Sequence, residues 1–297
     1  MIALMSIHLL LILWAALQAA PAADPLRAAV AQLTATSSNE ARFEAMTALL
    51  RARNIPFTVE RFTIEKPLGR EPRTGGRNIV ATFGRGANPV VVGAHYDAVR
   101  LQDGSLSHGA TDNAGSSVIL TKIAESLMAQ PPAGPVTLVW FDMEELGLVG
   151  SQKYVEAHAS DGIRAMVNLD INAYGDTLIF GSSRGPANAG PRKALLETCA
   201  ALDTGCVGLV QMPAGDDRSF VKAGIPALSL AILPALEAHQ TWLMMSGPDS
   251  GLAQGKVPAI MTTIHTPGDT IDKVDAAAMA RQAAFVTDLI RRLDTHR

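Results

Sequence analysis

Cysteine is scarce in this chain of 297 residues: only Cys199 and Cys206 are present. Neither a four-cysteine zinc ribbon nor a disulfide-dense scaffold can be built from two thiols. If the chain is exported the two can oxidise to a disulfide that pins a turn after a helix; otherwise they are two free thiols, with Cys199 packed on a helix face. Runs of one charge are also missing. The 25 basic and 28 acidic residues leave a net charge of -3 and are scattered, which excludes the basic stripe expected of a nucleic-acid-binding protein. Past the amino terminus no apolar run is long enough to span a bilayer. A His-Glu-x-x-His helix is absent too, which excludes the zincin arrangement of a single-helix metal site.

What is present begins with an apolar stretch over residues 9–20, followed by Ala19-Ala20-Pro21-Ala22-Ala23. This order reads as a secretory signal peptide over residues 1–22, cut between about Pro21 and Pro25, although only the amino terminus and His8 precede the apolar core as charge. The expected location is therefore periplasmic or secreted, with no stable membrane insertion after cleavage. Residues 23–297 hold no linker, repeat or low-complexity tract and read as a single domain. The hydrophobic content of 48% is enough for a deep core.

Residues 26–53 carry apolar side chains at helical spacing and predict one or two helices. Residues 57–64 and 78–83 alternate as half-buried strands do, separated by a turn-rich segment, and predict a hairpin-like edge. Beyond them, short continuous apolar runs at 89–93, 136–141, 165–169, 177–180 and 227–233 alternate with helical segments at 114–128, 147–158, 192–202, 220–223 and 274–293. Such a texture describes a sheet covered on both faces. The expected fold is α/β, a three-layer sandwich whose mixed sheet has a parallel core. Residues 234–263, with Trp242, Met244 and Met245, show little periodicity and predict a long functional loop leading to His265.

Three of the apolar runs end in chemistry that suits a metal: one in His95 and Asp97, one in Asp142, Glu144 and Glu145, one in Asp170. The loop around Asp112 and the segment from His265 to Thr270 add two more groups. In open α/β sheets, ligands bind beyond the carboxyl ends of the strands, so these endings converge on one crevice. Buried carboxylates there need a compensating cation, and two His with three acids suit a pair of zinc ions. Asp97, two residues beyond His95, is placed to hold its imidazole.

These residues carry a resemblance to the M28 family of zinc aminopeptidases. It rests on Gly93-Ala94-His95-Tyr96-Asp97, Gly109-Ala110-Thr111-Asp112-Asn113-Ala114, the segment from Glu144 to Ser151, Asn168-Leu169-Asp170, and His265-Thr266-Pro267-Gly268-Asp269-Thr270. The resemblance implies two zinc ions bridged by Asp112, one completed by His95 and Asp170, the other by Glu145 and His265. It implies Glu144 as general base, Asp216 as a supporting acid, and a peptide with a free N-terminus as the partner. The chain departs from the family where Asp217 stands in place of a histidine and where Val210-Gln211-Met212-Pro213 holds no tyrosine shortly before that segment, so the oxyanion role falls to a metal or to Tyr174.

Three other readings compete. Gly181-Ser182-Ser183-Arg184-Gly185 fits a nucleophile elbow with Ser183, but Pro186, Gly190 and Pro191 oppose the immediate helix such an elbow requires. A single-zinc glutaminyl cyclase shares the Asp112 and Glu145 segments, and a glutamate carboxypeptidase would need arginines for a substrate carboxylate, for which only Arg218 offers itself. A non-catalytic binding protein would have lost a ligand or the base, and every one is present.

Overall fold

Two amphipathic helices open the described part of the chain, which in this computed structural model comprises residues 24–182, 185–247, 250–252 and 255–295. The expected signal peptide and Ser183 lie outside the described residues. Asp24 caps α1 (Pro25–Thr34), accepting from the Leu26 and Arg27 amides, and Ser38 caps α2 (Asn39–Ala52). The hairpin follows as β1 (Thr58–Thr63) and β2 (Gly75–Phe83), paired antiparallel.

The remaining elements are β3 (Val90–His95), α3 (Gly115–Ala129), β4 (Val136–Phe141), α4 (Val149–Ala157), β5 (Ala165–Leu169), β6 (Thr177–Ser182), α5 (Ala189–Ala201), β7 (Cys206–Gly208), α6 (Asp217–Lys222), β8 (Ala227–Leu233), α7 (Ala235–Met245), α8 (Ile260–Thr263) and α9 (Ala276–Thr295). The eight strands form one mixed sheet in the order β1-β2-β4-β3-β5-β8-β6-β7. Its centre, β4-β3-β5-β8, is parallel, and β2 and β6 join it antiparallel on either side.

Burial explains why the central runs are continuous rather than alternating. Val90, Val92 and Ala94 of β3 join the main core with α1, α3, α5 and α9, while Val91 packs on the opposite face with Tyr154 of α4 and Phe220 of α6. Strand β4 divides in the same way, Leu138 and Trp140 to one face and Val139 and Phe141 to the other. Both faces are therefore covered, as the three-layer reading expects.

The structure differs in two places. Residues 235–245, read as part of a long loop, form α7, whose buried Glu237, Ala238 and Thr241 face the sheet. Only three positions of this helix are buried, which is why its periodicity is faint. The three-residue edge strand β7 gave no sequence signal, and it is tied to α5 by a Cys199–Cys206 disulfide.

Candidate metal and catalytic centre

The side chains that matter sit where the parallel strands end. His95 is the last residue of β3, Asp170 follows β5 directly, and Glu144 and Glu145 lie in a single turn after β4. Asp112 comes from the irregular turn before α3, and His265 follows α8. Among the described residues, four of the seven non-glycine positions with left-handed backbone are here: Met143, Leu148, Ile171 and His265. Backbone held in this sparsely populated region is costly and collects at functional sites.

The side chains form two donor sets that share Asp112. His95 Nε2 lies 3.1 Å from Asp112 Oδ1 and 3.8 Å from Asp170 Oδ1. His265 Nε2 lies 3.1 Å from Asp112 Oδ2 and 3.0 Å from Glu145 Oε2. The groups His95, Asp112, Asp170 and Asp112, Glu145, His265 are each compact enough to hold one metal ion. Chemistry supports the same fit: Glu145 Oε1 and Asp170 Oδ1 are buried without a hydrogen-bond donor, and imidazole with carboxylate is a donor set suited to zinc. Burial pushes the Glu145 carboxyl up to about 7, helped by the Asp112 charge, and the hydrogen bonds that His265 donates to Asp112 and Glu145 lift its imidazole to about 11.

Glu144 belongs to neither set. It lines a cavity of about 430 Å³ together with Asp112, Glu145, Asp170 and His265. Burial pushes its carboxyl well above the usual range, His95 opposes this, and Asp216 and Asp170 add to it. Asp97 anchors the turn that carries both glutamates: its Oδ1 accepts the Glu144 amide (3.1 Å) and its Oδ2 the Glu145 amide (3.2 Å). Asp97 also faces His95, with Oδ1 3.4 Å from Nδ1, while its carbonyl lies 3.2 Å from the same nitrogen. Asp216 is buried, and burial pushes it to about 7. Asp217 is likewise pushed up to about 7 by burial, with Arg218 opposing.

Tyr174 takes a different place from the one its sequence position suggested. Its hydroxyl donates to Glu237 Oε1 at 2.6 Å, and it packs in the small cluster beneath α7 rather than lining the central cavity. Glu237 Oε2 accepts the Ile260 amide at 2.8 Å, so the pair ties the turn after β5 to α7 and to the start of α8.

Several supporting residues escaped the sequence reading. Asp269 accepts from Thr111 N (2.8 Å), Thr111 Oγ1 (2.6 Å) and Asp112 N (3.0 Å), fixing the shared ligand. Its position in the motif after His265 was visible, its task was not. Asn113 brackets Asp170, donating to Leu169 O (2.8 Å) and accepting from Ile171 N (3.2 Å). Arg42 is fully buried and donates to the carbonyls of Tyr96 (2.5 Å), His108 (2.7 Å) and Gly109 (2.7 Å). Gly109 has φ of 52°, and a Cβ there would meet Asp112 O at 2.6 Å. Only glycine fits that turn. Similarly, a Cβ on Gly150 would lie 2.1 Å from Asp142 O, so glycine lets α4 close against the end of β4.

Beside the central cavity lies an apolar one that shares Asp170, Ile171, Pro213, Ala214 and Met261 with it and extends under Ile179, Met212 and Leu233. No described helix is long and apolar enough to cross a membrane.

Comparison with known proteins places this arrangement. A probable leucine aminopeptidase of Arthroderma otae is 31% identical over 216 residues, covering 68% of this chain and 53% of the relative. The chain thus spans about half the length of the curated relatives it matches. Among solved structures, a zinc aminopeptidase from Bacillus subtilis aligns over 73% of this chain and 50% of its own, with a TM-score of 0.57 and 21% identity. An Acidobacteriales bacterium glutaminyl cyclase aligns over 94% of this chain and 100% of its own, with a TM-score of 0.67 and 20% identity. At these identities the structures show the shared fold. The profile of Peptidase family M28 matches residues 78–290, a span holding all five metal-donor residues and Glu144, and this chain belongs to that family.

Proposed function

We propose that the chain is a metallo-aminopeptidase that removes N-terminal residues from peptides at a co-catalytic pair of zinc ions. The observation that carries this reading is the pair of donor sets sharing Asp112, with Glu144 free of both yet lining the same cavity. His95, Asp112 and Asp170 would hold one ion, and Asp112, Glu145 and His265 the other. Bound there, the metals supply Lewis-acid polarisation of the scissile carbonyl and a water acidified towards neutrality.

The chain's own groups do the rest. Glu144 takes the proton of the attacking water and returns it to the leaving amine, a cycle favoured by a carboxyl whose surroundings already raise its proton affinity. Asp97 holds the turn that carries Glu144 and Glu145 by accepting both amides. The apolar cavity on the Asp170 side receives the substrate's first side chain, which favours apolar N-terminal residues. The name of the Arthroderma otae relative agrees with that preference.

A glutaminyl cyclase is the second reading, favoured by the end-to-end alignment with the Acidobacteriales bacterium enzyme. The second donor set, His95 and Asp170 with the shared Asp112, beside Asp112, Glu145 and His265, weighs for two metals instead. We also assign residues 1–22 to an export signal and residues 23–297 to the peptidase domain; the Cys199–Cys206 disulfide supports an oxidising compartment.

The test is a metal count on purified protein combined with a panel of aminoacyl and N-terminal glutaminyl substrates. Two zinc ions per chain, release of the N-terminal residue and its loss on chelation are the expected results. Pyroglutamate formation with one zinc would establish the cyclase, and turnover surviving complete metal removal would overturn both.

A further inference from the structure

The central cavity has a second neighbour besides the apolar one. This smaller cavity, of about 170 Å³, is lined by Arg70, Arg100, Asp97, Glu145, Leu146 and Gly69 among others. Glu145 belongs to both the central cavity and this one, as Asp170 and Ile171 belong to both the central and the apolar one. The central cavity therefore adjoins the apolar space at Asp170 and Ile171 and the arginine-bearing space at Glu145. A peptide whose first side chain enters the apolar cavity directs its following residue past Glu145 towards the arginines.

The arginine-bearing cavity also holds Glu71, Asp97 and Glu145, but Glu71 and Asp97 are engaged within the fold and Glu145 belongs to a donor set. Its floor is Glu71, which is buried and held by Asn39 Nδ2 (3.1 Å) and by Arg73 Nε (3.3 Å). The short turn from Leu68 to Glu71 is closed by the Glu71 amide donating to the Leu68 carbonyl (3.1 Å). It lies against Leu146, the residue after Glu145, for a Cβ on Gly69 would meet Leu146 Cδ2 at 3.3 Å. Within this frame the two arginines are not used up. Arg70 is exposed and has no hydrogen bond or ion pair among the described residues. Arg100 donates through Nη1 to Gly104 O (2.9 Å), its Nη2 stands 3.7 Å from Glu71, and its Nε has no acceptor. A planar guanidinium with free donors is suited to a carboxylate.

We propose that Arg70 and Arg100 form a carboxylate-binding subsite on the leaving-group side of the metal centre, which makes the enzyme prefer substrates with an anion just beyond the scissile bond. This rests on the aminopeptidase reading and names the substrate class for it. The carboxylate has two sources, the free C-terminus of a dipeptide or the side chain of an acidic second residue, and the two are separable.

The experiment uses the full zinc-loaded protein with Leu-Ala, Leu-Ala-amide, Leu-Asp-amide, Leu-Asn-amide and leucine p-nitroanilide. Wild type is expected to show kcat/KM for Leu-Ala about tenfold or more above Leu-Ala-amide, carried by KM, as a hydrogen-bonded charge pair supplies. The ratio should collapse towards one in Arg70→Ala, which removes an exposed side chain without structural partners, and should fall in Arg100→Lys, which keeps charge but loses the planar fork. A Leu-Asp-amide to Leu-Asn-amide ratio above one, lost in the same variants, would assign the subsite to acidic side chains instead. Ratios near one in wild type, or ratios that survive both substitutions, overturn the proposal. A wild type that leaves the anilide and every peptide intact fails the aminopeptidase reading itself, which is a separate outcome.

Discussion

Asp142 and Glu145 leave the same strand end three residues apart, with side chains only 0% and 6% exposed, and the chain treats them oppositely. Asp142 receives Arg73 through two nitrogens (2.9 and 3.1 Å) and accepts the amides of Arg77 and Met143 (2.9 Å each). Glu145 has one oxygen facing His265 and the other with no donor. One carboxylate is neutralised from within the fold and holds the turn; the other is left short of positive charge. A buried acid without its own cation is costly, so its persistence beside Asp112 and Asp170 marks the place where a cation from solution completes the structure.

The largest expected effect tests that division at the adjacent glutamates. Glu144→Gln removes the base but no donor, so both metals should stay while turnover falls about 100-fold to 10,000-fold. Glu145→Gln removes a donor, so one zinc should be lost on dialysis and activity should return in part with excess zinc. Its metal-free form should be no less stable than the metal-free wild type, because a crowded charge has gone. Metal analysis of the two variants side by side decides; Glu144→Gln losing zinc while Glu145→Gln retains it would reverse the assignment.

The next effect concerns the internally neutralised acid. Arg73→Ala leaves Asp142 buried and uncompensated and should cost about 3 to 5 kcal/mol, read as a lower denaturation midpoint in urea. Added zinc should not restore the loss, because Asp142 faces Arg73 and the amides rather than the donor sets. Recovery with zinc would erase the distinction between the two kinds of buried acid.

Much of this was legible because the parallel strands wrote themselves as bounded apolar runs: β4, β5 and β8 occupy the residues their runs predicted. The donors stood immediately after those runs, and their chemistry was visible in residue type and order. The supporting contacts were not legible, because a contact across 54 to 67 residues, such as those Arg42 makes to Tyr96, His108 and Gly109, leaves no local pattern. Arg42 sits in an amphipathic helix beside Phe43 and Met46, where a charged residue suggests solvent. Helix α7 failed for the opposite reason, since its apolar Leu236 and Trp242 point outward and blur the periodicity. The arginine-bearing cavity was hidden because Arg70 and Arg100 are brought together only by the fold; sequence alone offered Arg218.

The smallest effect comes from a charge neutralised within the fold but near the surface. His158, at the end of α4, stacks on Tyr154 with ring centroids 4.2 Å apart, and lies 3.1 Å from Glu60 through Nε2 and 2.7 Å from Asp161 through Nδ1. The hydrogen bond to Glu60 raises its imidazole, burial opposes it, and the hydrogen bond to Asp161 adds to the rise, from 6.5 to about 9. A raised folded value means that the protonated ring is favoured in the native state. The stabilisation is therefore complete below about pH 6.5 and is lost as the pH climbs through 9. Because the His158 side chain is 23% exposed and its partners Glu60 and Asp161 are 32% and 43% exposed, screening holds the contribution to about 1 kcal/mol or less. His158→Phe keeps the stacking and removes the charge, so the stability difference between wild type and variant should shrink between pH 6.5 and pH 9 and vanish above it. A difference as large as that of Arg73→Ala, or one that does not change with pH, would mean that burial is not what separates strong from weak charge compensation in this fold.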